Sequence, residues 1–355
     1  MNRRRFLESA AVFPALARAA QPARWRVFEV TTRVEIPNPE GAARVWVPAA
    51  LGQDTPYQRT LSNTVHCDGG VAKTIGGIDG LSMVGAFFPP GTKPSVTLVS
   101  RVATTGRSAD FLAPRSSTRS SSAQLAPYLA PTRFIPTGGI VRERAVQITR
   151  GAATDLAKAR AIYEWIVDNT HRDPAVRGCG RGDIRFMLKS GDLGGKCADL
   201  NALYVSLARA AGLPARDVYG IRVAPSELGY ESLGASSNLV TKAQHCRAEV
   251  YLEAHGWIAV DPADVRKVML EEPPGNRPAS DPMVRHARAR LFGSWEMNWM
   301  AYNFAHDVAL PGSGGPPLAF FMYPQAETAR GRLDCLDPEH FRYEITAREL
   351  PPEAA

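Results

Sequence analysis

Cys197 has the clearest chemical potential in this chain, because it follows a glycine pair and precedes a predicted helix. After Gly194 and Gly195, the apolar residues recur at helical spacings of three and four. They are Leu200, Leu203, Tyr204, Leu207, Ala208 and Ala211. We therefore predict an amphipathic helix from Cys197 to Gly212, with Asp199 complementing its dipole in the first turn. Unpaired N–H groups at a helix N-terminus favour a thiolate, so Cys197 is a candidate nucleophile.

A base and an acid for this thiol follow later in the sequence. Residues 244–252 alternate in polarity as a strand does, and His245 stands near their start. A turn at 255–256 leads into a second predicted strand, which ends in Asp261 just before a proline. Such a hairpin brings Asp261 next to His245, where the carboxylate orients the imidazole and the imidazole takes the thiol proton. Asp264 is a weaker candidate for the acid, and we expect it to be a turn or helix-cap residue.

Short motifs surround these three residues. They are Gly195-Lys196-Cys197-Ala198-Asp199, Ala211-Gly212-Leu213-Pro214-Ala215-Arg216, the strand with His245, Gly256-Trp257, and Val260-Asp261-Pro262. The gaps between the three residues are 245 − 197 = 48 and 261 − 245 = 16. In order and spacing, this set resembles the core of the bacterial transglutaminase-like cysteine enzyme superfamily. The resemblance covers residues 154–268, about a third of the chain.

The resemblance implies a fold and a role for each residue. The fold is α+β with a papain/transglutaminase-like core, in which a helix bearing the cysteine packs on an antiparallel sheet bearing the histidine and aspartate. Cys197 is then the nucleophile, His245 the general base and Asp261 the orienting acid of an acyl-enzyme mechanism. The family would also supply a second oxyanion donor from a Gln or Trp before the cysteine, but Trp165 is not convincingly placed for it. The sequence identifies neither that donor nor the substrate-binding residues.

The acceptor of the acyl group decides the reaction. Water gives a peptidase or amidase, and an amine gives protein-glutamine cross-linking. We favour hydrolysis, since bacterial proteins of the resembled family more often look hydrolytic, and we expect a protein or peptide amide as substrate. We expect no cofactor, because the sequence has no acidic cluster with calcium-loop spacing. Two non-catalytic alternatives are an inactive interaction module and a metal site built from Cys179, Cys197, His245 and Cys246.

The N-terminus resembles a twin-arginine export signal. Arg3 and Arg4 precede Phe6 and an Ala-rich apolar stretch, and the small residues near Ala20 suit a signal peptidase. We predict a signal peptide over residues 1–20, export by the twin-arginine machinery and a periplasmic mature protein. The formal charge of +7 comes without a basic run interleaved with aromatics, so we expect no nucleic-acid partner. No other stretch is long and apolar enough to predict a membrane span.

The rest of the sequence predicts separate modules. They are a β-sandwich-like module (21–112), a linker (113–140), the catalytic core (141–270) and a C-terminal extension packing on the core (271–355). A Gly/Ser-rich insertion at 225–241 is either a cleft-lining loop or an irregular surface connection. The aromatic run at 295–308 belongs to the core or forms a wall of the cleft.

The remaining cysteines bear on whether Cys197 stays reduced. An odd count of five in an exported chain leaves at least one free thiol. Cys179 lies in a Gly-rich loop that we expect to border the cleft. Cys246 adjoins His245 but occupies the opposite face of the predicted strand, so we expect it to point into the core. A disulfide between Cys179 and Cys246, a reversible disulfide between Cys179 and Cys197, and free thiols are all open from the sequence.

Overall fold

The computed structural model describes residues 24–112 and 120–351. The predicted signal peptide at 1–20 and the start of the predicted linker lie outside the described residues. No helix within the described ranges is long and apolar enough to cross a membrane.

Seven strands precede the first helix. They are β1 (Trp25–Glu35), β2 (Ala43–Pro48), β3 (Gln58–Asp68), β4 (Val71–Gly76), β5 (Ser82–Phe88), β6 (Ser95–Thr105) and β7 (Arg107–Ser108). In β1 and β6, buried residues alternate with more exposed ones, which is the pattern of strands that cover a core on one face.

The described residues contain seven α-helices. They are α1 (Ser122–Leu125), α2 (Ile140–Ile148), α3 (Asp155–Asn169), α4 (Ile184–Ser190), α5 (Cys197–Ala210), α6 (Pro262–Glu271) and α7 (Pro282–Arg290). A short 3₁₀ turn, Ala126–Tyr128, follows α1. The hydroxyl of Thr154 caps α3 by accepting the N–H of Ala157 at 3.1 Å, which fixes the start of that helix.

Twelve more strands follow α3. They are β8 (His171–Arg172), β9 (Gly194–Gly195), β10 (Ala215–Arg222), β11 (Gln244–Leu252), β12 (Gly256–Val260), β13 (Ser294–Trp295), β14 (Trp299–Asn303), β15 (His306–Val308), β16 (Leu318–Phe320), β17 (Gln325–Thr328), β18 (Gly331–Arg332) and β19 (Arg342–Leu350).

The N-terminal strands form two sheets around a common core. One sheet has the order β19-β1-β6-β3 and the other β18-β17-β2-β5-β4. Both contribute buried apolar side chains to one cluster, including Val34, Val47, Phe88 and Leu98. The last three strands of the chain belong to these sheets, so the C-terminal extension completes the N-terminal module and also reaches the core through β14.

The other main part of the fold is a sheet of order β12-β11-β10-β14, against which α5 packs. Helices α2, α3, α4 and α6 cover the rest of α5. This arrangement corrects the amphipathic prediction, because all fourteen residues of α5 are buried. A helix enclosed by both a sheet and other helices needs apolar or paired side chains on every face. The α+β fold predicted from the sequence is thus confirmed, with the cysteine at the start of its most enclosed helix.

Candidate active site

Cys197 is the first residue of α5, and a buried carboxylate holds the chain around it. Asp199 accepts the backbone N–H groups of Arg181 and Gly182 at 2.9 Å each, as well as that of its own helix cap. A Cβ at Gly180 would overlap this carboxylate, and the φ of +101° there also favours glycine. Asp199 therefore ties the Gly-rich loop to the start of the helix, a larger role than the dipole interaction predicted for it.

The backbone N–H of Cys197 has no acceptor among the described residues. The N–H groups after it are paired, since Ala198 donates to the carbonyl of Cys179 at 2.9 Å and Leu200 to that of Lys196 at 3.0 Å. A free N–H at a helix N-terminus beside a thiol is suited to bind a developing oxyanion.

The Cys197 side chain is 4% exposed and meets two thiols and an imidazole. The neighbouring Cys179 and Cys246 thiols hold the pKa of Cys197 well below its usual range; burial opposes this effect, and His245 adds to it. The pKa of Cys179 is raised, first by its neighbour Cys197, and that of Cys246 is raised first by burial. Cys197 is therefore the thiol of this cluster that ionises first, while the S–H groups of Cys179 and Cys246 donate to the carbonyl of Gln244 and to the sulfur of Met322.

The structure extends the prediction made for Cys246. Its side chain is fully buried as expected, yet it lies in the cluster that includes Cys179 and Cys197 instead of apart from them. All five cysteines are within the described residues, and all are free thiols. Neither disulfide considered from the sequence is present in this state.

The hairpin of β11 and β12 brings His245 and Asp261 together. The imidazole Nε2 lies 2.8 Å from Oδ2 of Asp261, which leaves Nδ1 for the thiol. The other carboxylate oxygen accepts from Nδ2 of Asn201 at 3.2 Å and from the N–H of Asp264 at 3.1 Å. Both oxygens of Asp261 are therefore fixed, and so is the plane of the imidazole they orient.

Trp299 on β14 supports His245 across the intervening strand β10. Its Nε1 donates to the carbonyl of His245 at 3.0 Å. The indole fits because β10 places Gly220 opposite His245, where a Cβ would overlap the indole ring. Trp299 is fully buried with Trp295 in an apolar cluster, so this part of the aromatic run is core and not a cleft wall.

Asp264 forms a second buried ion pair beside the imidazole. Its Oδ1 lies 2.6 Å from Arg222 and 3.3 Å from Nε2 of His245. The structure corrects its predicted role, because Asp261 and not Asp264 is the N-cap of α6. Asp261 precedes a proline at the first helical position, which has no N–H, and its side chain accepts the N–H of Asp264 at the third position.

Two buried carboxylates determine the protonation of His245. Burial alone lowers its pKa, but Asp264 and Asp261 outweigh burial and the repulsion of Arg222, and the pKa rises to about 9. Burial also opposes ionisation of Asp264, but the Arg222 guanidinium holds the pKa of Asp264 well below its usual range. An imidazolium opposite a thiolate is therefore the favoured state at neutral pH.

A cavity of about 630 Å³ opens at Cys197 and His245. Residues from the Gly/Ser-rich insertion line one part of it, which makes the insertion a cleft-lining loop. Aromatic side chains from the C-terminal extension line another part, namely Tyr323, Phe341 and Tyr343. The extension thus supplies a wall of the cleft, through residues downstream of the aromatic run that the sequence singled out.

Gln244 is a buried amide in this cleft that sequence reasoning missed. It is 8% exposed, and its Nε2 has no acceptor among the described residues. Its backbone carbonyl accepts the thiol of Cys179 at 3.3 Å. A buried donor without a partner costs free energy, so its place beside the thiol suggests a ligand atom as the missing acceptor. The sequence offered one signal that could have identified Gln244, namely its position directly before the candidate base His245.

The acidic groups near the imidazole are close enough to hold a metal ion, but their charges are already balanced. Ligand atoms of His245, Asp261 and Asp264 lie within 4.8 Å of one another. Arg222 pairs with Asp264, and Nε of Arg247 lies 3.7 Å from Asp261. The metal site considered from the sequence would use Cys179, Cys197, His245 and Cys246. Among the described residues, these four do not form a group whose ligand atoms lie this close together.

Here a thiol at a helix N-terminus faces an imidazole and a carboxylate carried by an antiparallel sheet. This arrangement is typical of cysteine enzymes with an α+β fold. Residues 142–262 match the model of the transglutaminase-like superfamily. The chain therefore carries a transglutaminase-like domain, as the sequence motifs predicted.

Known proteins resemble this chain over more than the domain. An uncharacterized protein of Haemophilus influenzae is 41% identical over 232 residues, and the match spans 63% of this chain and 62% of that protein. The structure of a candidate cysteine protease from Cytophaga hutchinsonii has a TM-score of 0.58 at 14% identity and covers 92% of both chains. The periplasmic domain of TgpA from Pseudomonas aeruginosa aligns at 18% identity over 68% of this chain and 88% of its own, with a TM-score of 0.36. The Cytophaga structure establishes the shared fold, and the TgpA alignment supports no argument about function.

Proposed function

We propose that this protein is an exported thiol enzyme that cleaves amide bonds through an acyl-enzyme, with Cys197, His245 and Asp261 as its catalytic residues. The observation that carries the proposal is that the Cys197 thiol lies close enough to the His245 imidazole for the imidazole to lower its pKa, while Nε2 of that imidazole lies 2.8 Å from Oδ2 of Asp261. A low pKa on the thiol and a high one on the imidazole give a nucleophile and an acid at the same pH.

The reaction follows from these protonation states. The Cys197 thiolate forms a C–S bond to the amide carbonyl carbon, and the carbonyl π electrons move to oxygen. As the oxyanion collapses, the C–N bond breaks and the His245 imidazolium gives its proton to the leaving amine. Water then attacks the thioester while His245 takes one of its protons, and the carboxylic acid product leaves as the thiolate is restored. Asp261 keeps the imidazole in place through both steps.

Two donors are positioned to serve the oxyanion. The first is the unpaired backbone N–H of Cys197, and the second is the unpartnered Nε2 of Gln244. Both belong to residues that line the same cavity, and neither has a competing acceptor among the described residues. Donors that are already oriented stabilise the transition state without reorganisation.

The charge of the cleft favours water over an amine as the acyl acceptor. Cationic side chains line the cavity, including Lys196, Lys242 and Lys267. A protonated lysine or polyamine approaching the thioester would meet like charge, whereas water would not. We therefore place hydrolysis ahead of protein-glutamine cross-linking.

Alkylation of Cys197 tests the thiol chemistry without a known substrate. Iodoacetamide at pH 6 should modify Cys197 faster than any other cysteine, as measured by peptide mass mapping. Cys67→Ala is the matched control, since it removes a partly exposed thiol of β3 and leaves Cys197 and its neighbours in place. Slow alkylation of Cys197, at the rate of an ordinary cysteine, would remove the basis of the proposal.

Turnover is tested with a library of peptide amides and a fluorescent primary amine present together. Hydrolysis predicts carboxylic acid products, and cross-linking predicts incorporation of the amine. Cys197→Ala should abolish both.

Export is tested by fractionating cells that carry Arg3→Lys and Arg4→Lys together, which should keep the protein in the cytoplasm; unchanged delivery to the periplasm argues against a twin-arginine signal.

A further inference from the structure

Positive charge lines the cleft at Cys197. Apart from the His245 imidazolium and the Cys197 thiolate, six lining residues are charged, all of them cations, and none of the described residues that line the cavity is an aspartate or glutamate. The six are Arg172, Arg177, Lys196, Arg222, Lys242 and Lys267. At the chain's ratio of 42 basic to 35 acidic residues, six cations would be accompanied by about five carboxylates. The composition of the chain therefore does not account for the charge of the cleft.

These cations come from separate parts of the fold. They lie in β8, the Gly-rich loop, the cap of α5, the end of β10, the segment before β11, and α6. No run of basic residues in the sequence contains them. Folding brings them to one cavity although like charges repel, and such convergence indicates an anionic ligand.

Carboxylates behind the lining neutralise only part of this charge. The ion pairs are Arg172–Glu271, Lys267–Glu271, Arg177–Asp334 and Arg222–Asp264. Six cations and three carboxylates leave an excess of 6 − 3 = 3 positive charges. Lys196 and Lys242 supply two of them. The ammonium of Lys196 donates to the carbonyl of Val176 at 2.6 Å, and Lys242 is exposed with no ion-pair partner in the described part of the chain.

We propose that the cleft selects an acidic peptide, with carboxylates close to the amide that is cleaved. This inference rests on the proposed function, because the selecting charges surround its nucleophile. Lys196 adjoins Cys197 in the sequence, Lys242 comes three residues before His245, and both line the cavity. Carboxylates of a peptide bound there would meet these cations. A cavity of about 630 Å³ accommodates a short peptide segment.

Equilibrium binding to the full chain tests this selectivity without turnover. The Cys197→Ala variant is titrated into a fluorescent Glu-containing peptide and into the same peptide with every Glu replaced by Gln, at low ionic strength. We expect the acidic peptide to bind at least about tenfold more tightly. Lys242→Gln should weaken the acidic peptide about two- to fivefold and leave the Gln peptide unchanged. Lys93→Gln, which removes an exposed lysine of the first module, is the matched control and should change neither.

Three results would overturn the inference. They are equal binding of the two peptides, an equal effect of Lys93→Gln and Lys242→Gln, and displacement of the peptide by a single-stranded oligonucleotide of the same charge at the same concentration. Because binding is measured without turnover, the outcomes separate the two proposals. A chain that binds acidic peptides selectively but cleaves no amide contradicts the proposed function alone. A chain that cleaves neutral and acidic amides equally contradicts the acidic selectivity alone.

Discussion

Replacing Asp261 with Asn tests whether the carboxylate sets the protonation state of His245. The substitution keeps the size of the side chain and removes its charge 2.8 Å from Nε2. The pKa of His245 rises from 6.5 to about 9, which corresponds to about 3 kcal/mol. Burial acts in the opposite direction, so Asp261 and Asp264 together supply at least this much. Removing the charge of Asp261, with Asp264 still in place, should therefore lower the pKa of His245 by more than one pH unit.

Iodoacetamide alkylation of Cys197 as a function of pH measures this change directly. A thiolate paired with an imidazolium reacts more slowly than a free thiolate, so the rate should rise as His245 loses its proton. We expect the midpoint of that rise near pH 9 in the wild-type protein and more than one pH unit lower in Asp261→Asn. Peptide mass mapping assigns the modification to Cys197 at each pH.

Two further Asp→Asn variants make the test specific. Asp264→Asn should also lower the midpoint, because Asp264 lies 3.3 Å from the same nitrogen. Asp281→Asn, which removes a carboxylate that pairs with Arg277 elsewhere, should leave the midpoint unchanged. A folded Asp261→Asn protein with the wild-type midpoint would refute the reasoning.

Three other perturbations follow from buried polar groups. Gln244→Leu should lower kcat about 10²–10³-fold with a smaller effect on KM, as steady-state kinetics on any cleaved amide would show; an unchanged kcat removes Gln244 from the oxyanion site. Asp217 is fully buried without a hydrogen bond, its carboxylate lies 3.4 Å from Nε2 of His306, and burial raises its pKa from 3.8 to about 8. The folded state therefore holds a proton that the unfolded state releases, and stability falls as pH rises from about 4 to about 8. Asp217→Asn should remove that slope in urea unfolding at pH 5 and pH 8, and an unchanged slope would contradict the assignment. Mild oxidation with diamide should join Cys179 to Cys197 and inactivate the protein reversibly; non-reducing peptide maps would show the linked peptides, and Cys179→Ser should lack them.

Local patterns in the sequence identified the elements that carry the three proposed catalytic residues. The spacing of apolar residues after Cys197 predicted α5, and the alternation around His245 predicted β11. The turn at Gly256 then placed Asp261 at the end of the neighbouring strand. Each of these signals spans fewer than about twenty residues, which is the range over which periodicity is informative.

Features that depend on distant parts of the chain were not predictable in this way. The sequence of α5 shows an apolar stripe but not that four helices and a sheet would cover its other faces. Strand β19 pairs with β1 across more than 300 residues, and no periodic signal links them. Arg222, at the end of β10, donates to Asp264 in α6, which lies 42 residues further along the chain. Such pairings are set by tertiary packing, where one residue of the pair gives no information about the other.

The site combines buried negative charges with positive charges that line the cleft. This contrast leads to a final prediction. Asp261 and Asp264 lie fully buried beside the imidazole, whereas Lys196 and Lys242 line the cleft with no ion-pair partner among the described residues. Salt screens exposed charges far more than buried pairs. Raising the salt concentration from about 0.05 M to about 0.5 M should therefore increase KM for acidic peptides several-fold, while the alkylation rate of Cys197 by neutral iodoacetamide stays within about twofold. If KM and the alkylation rate changed equally with salt, the same charges would govern substrate binding and thiol activation. If only KM changes, the cations of the cleft select the substrate, and the buried carboxylates control the reactivity of the thiol.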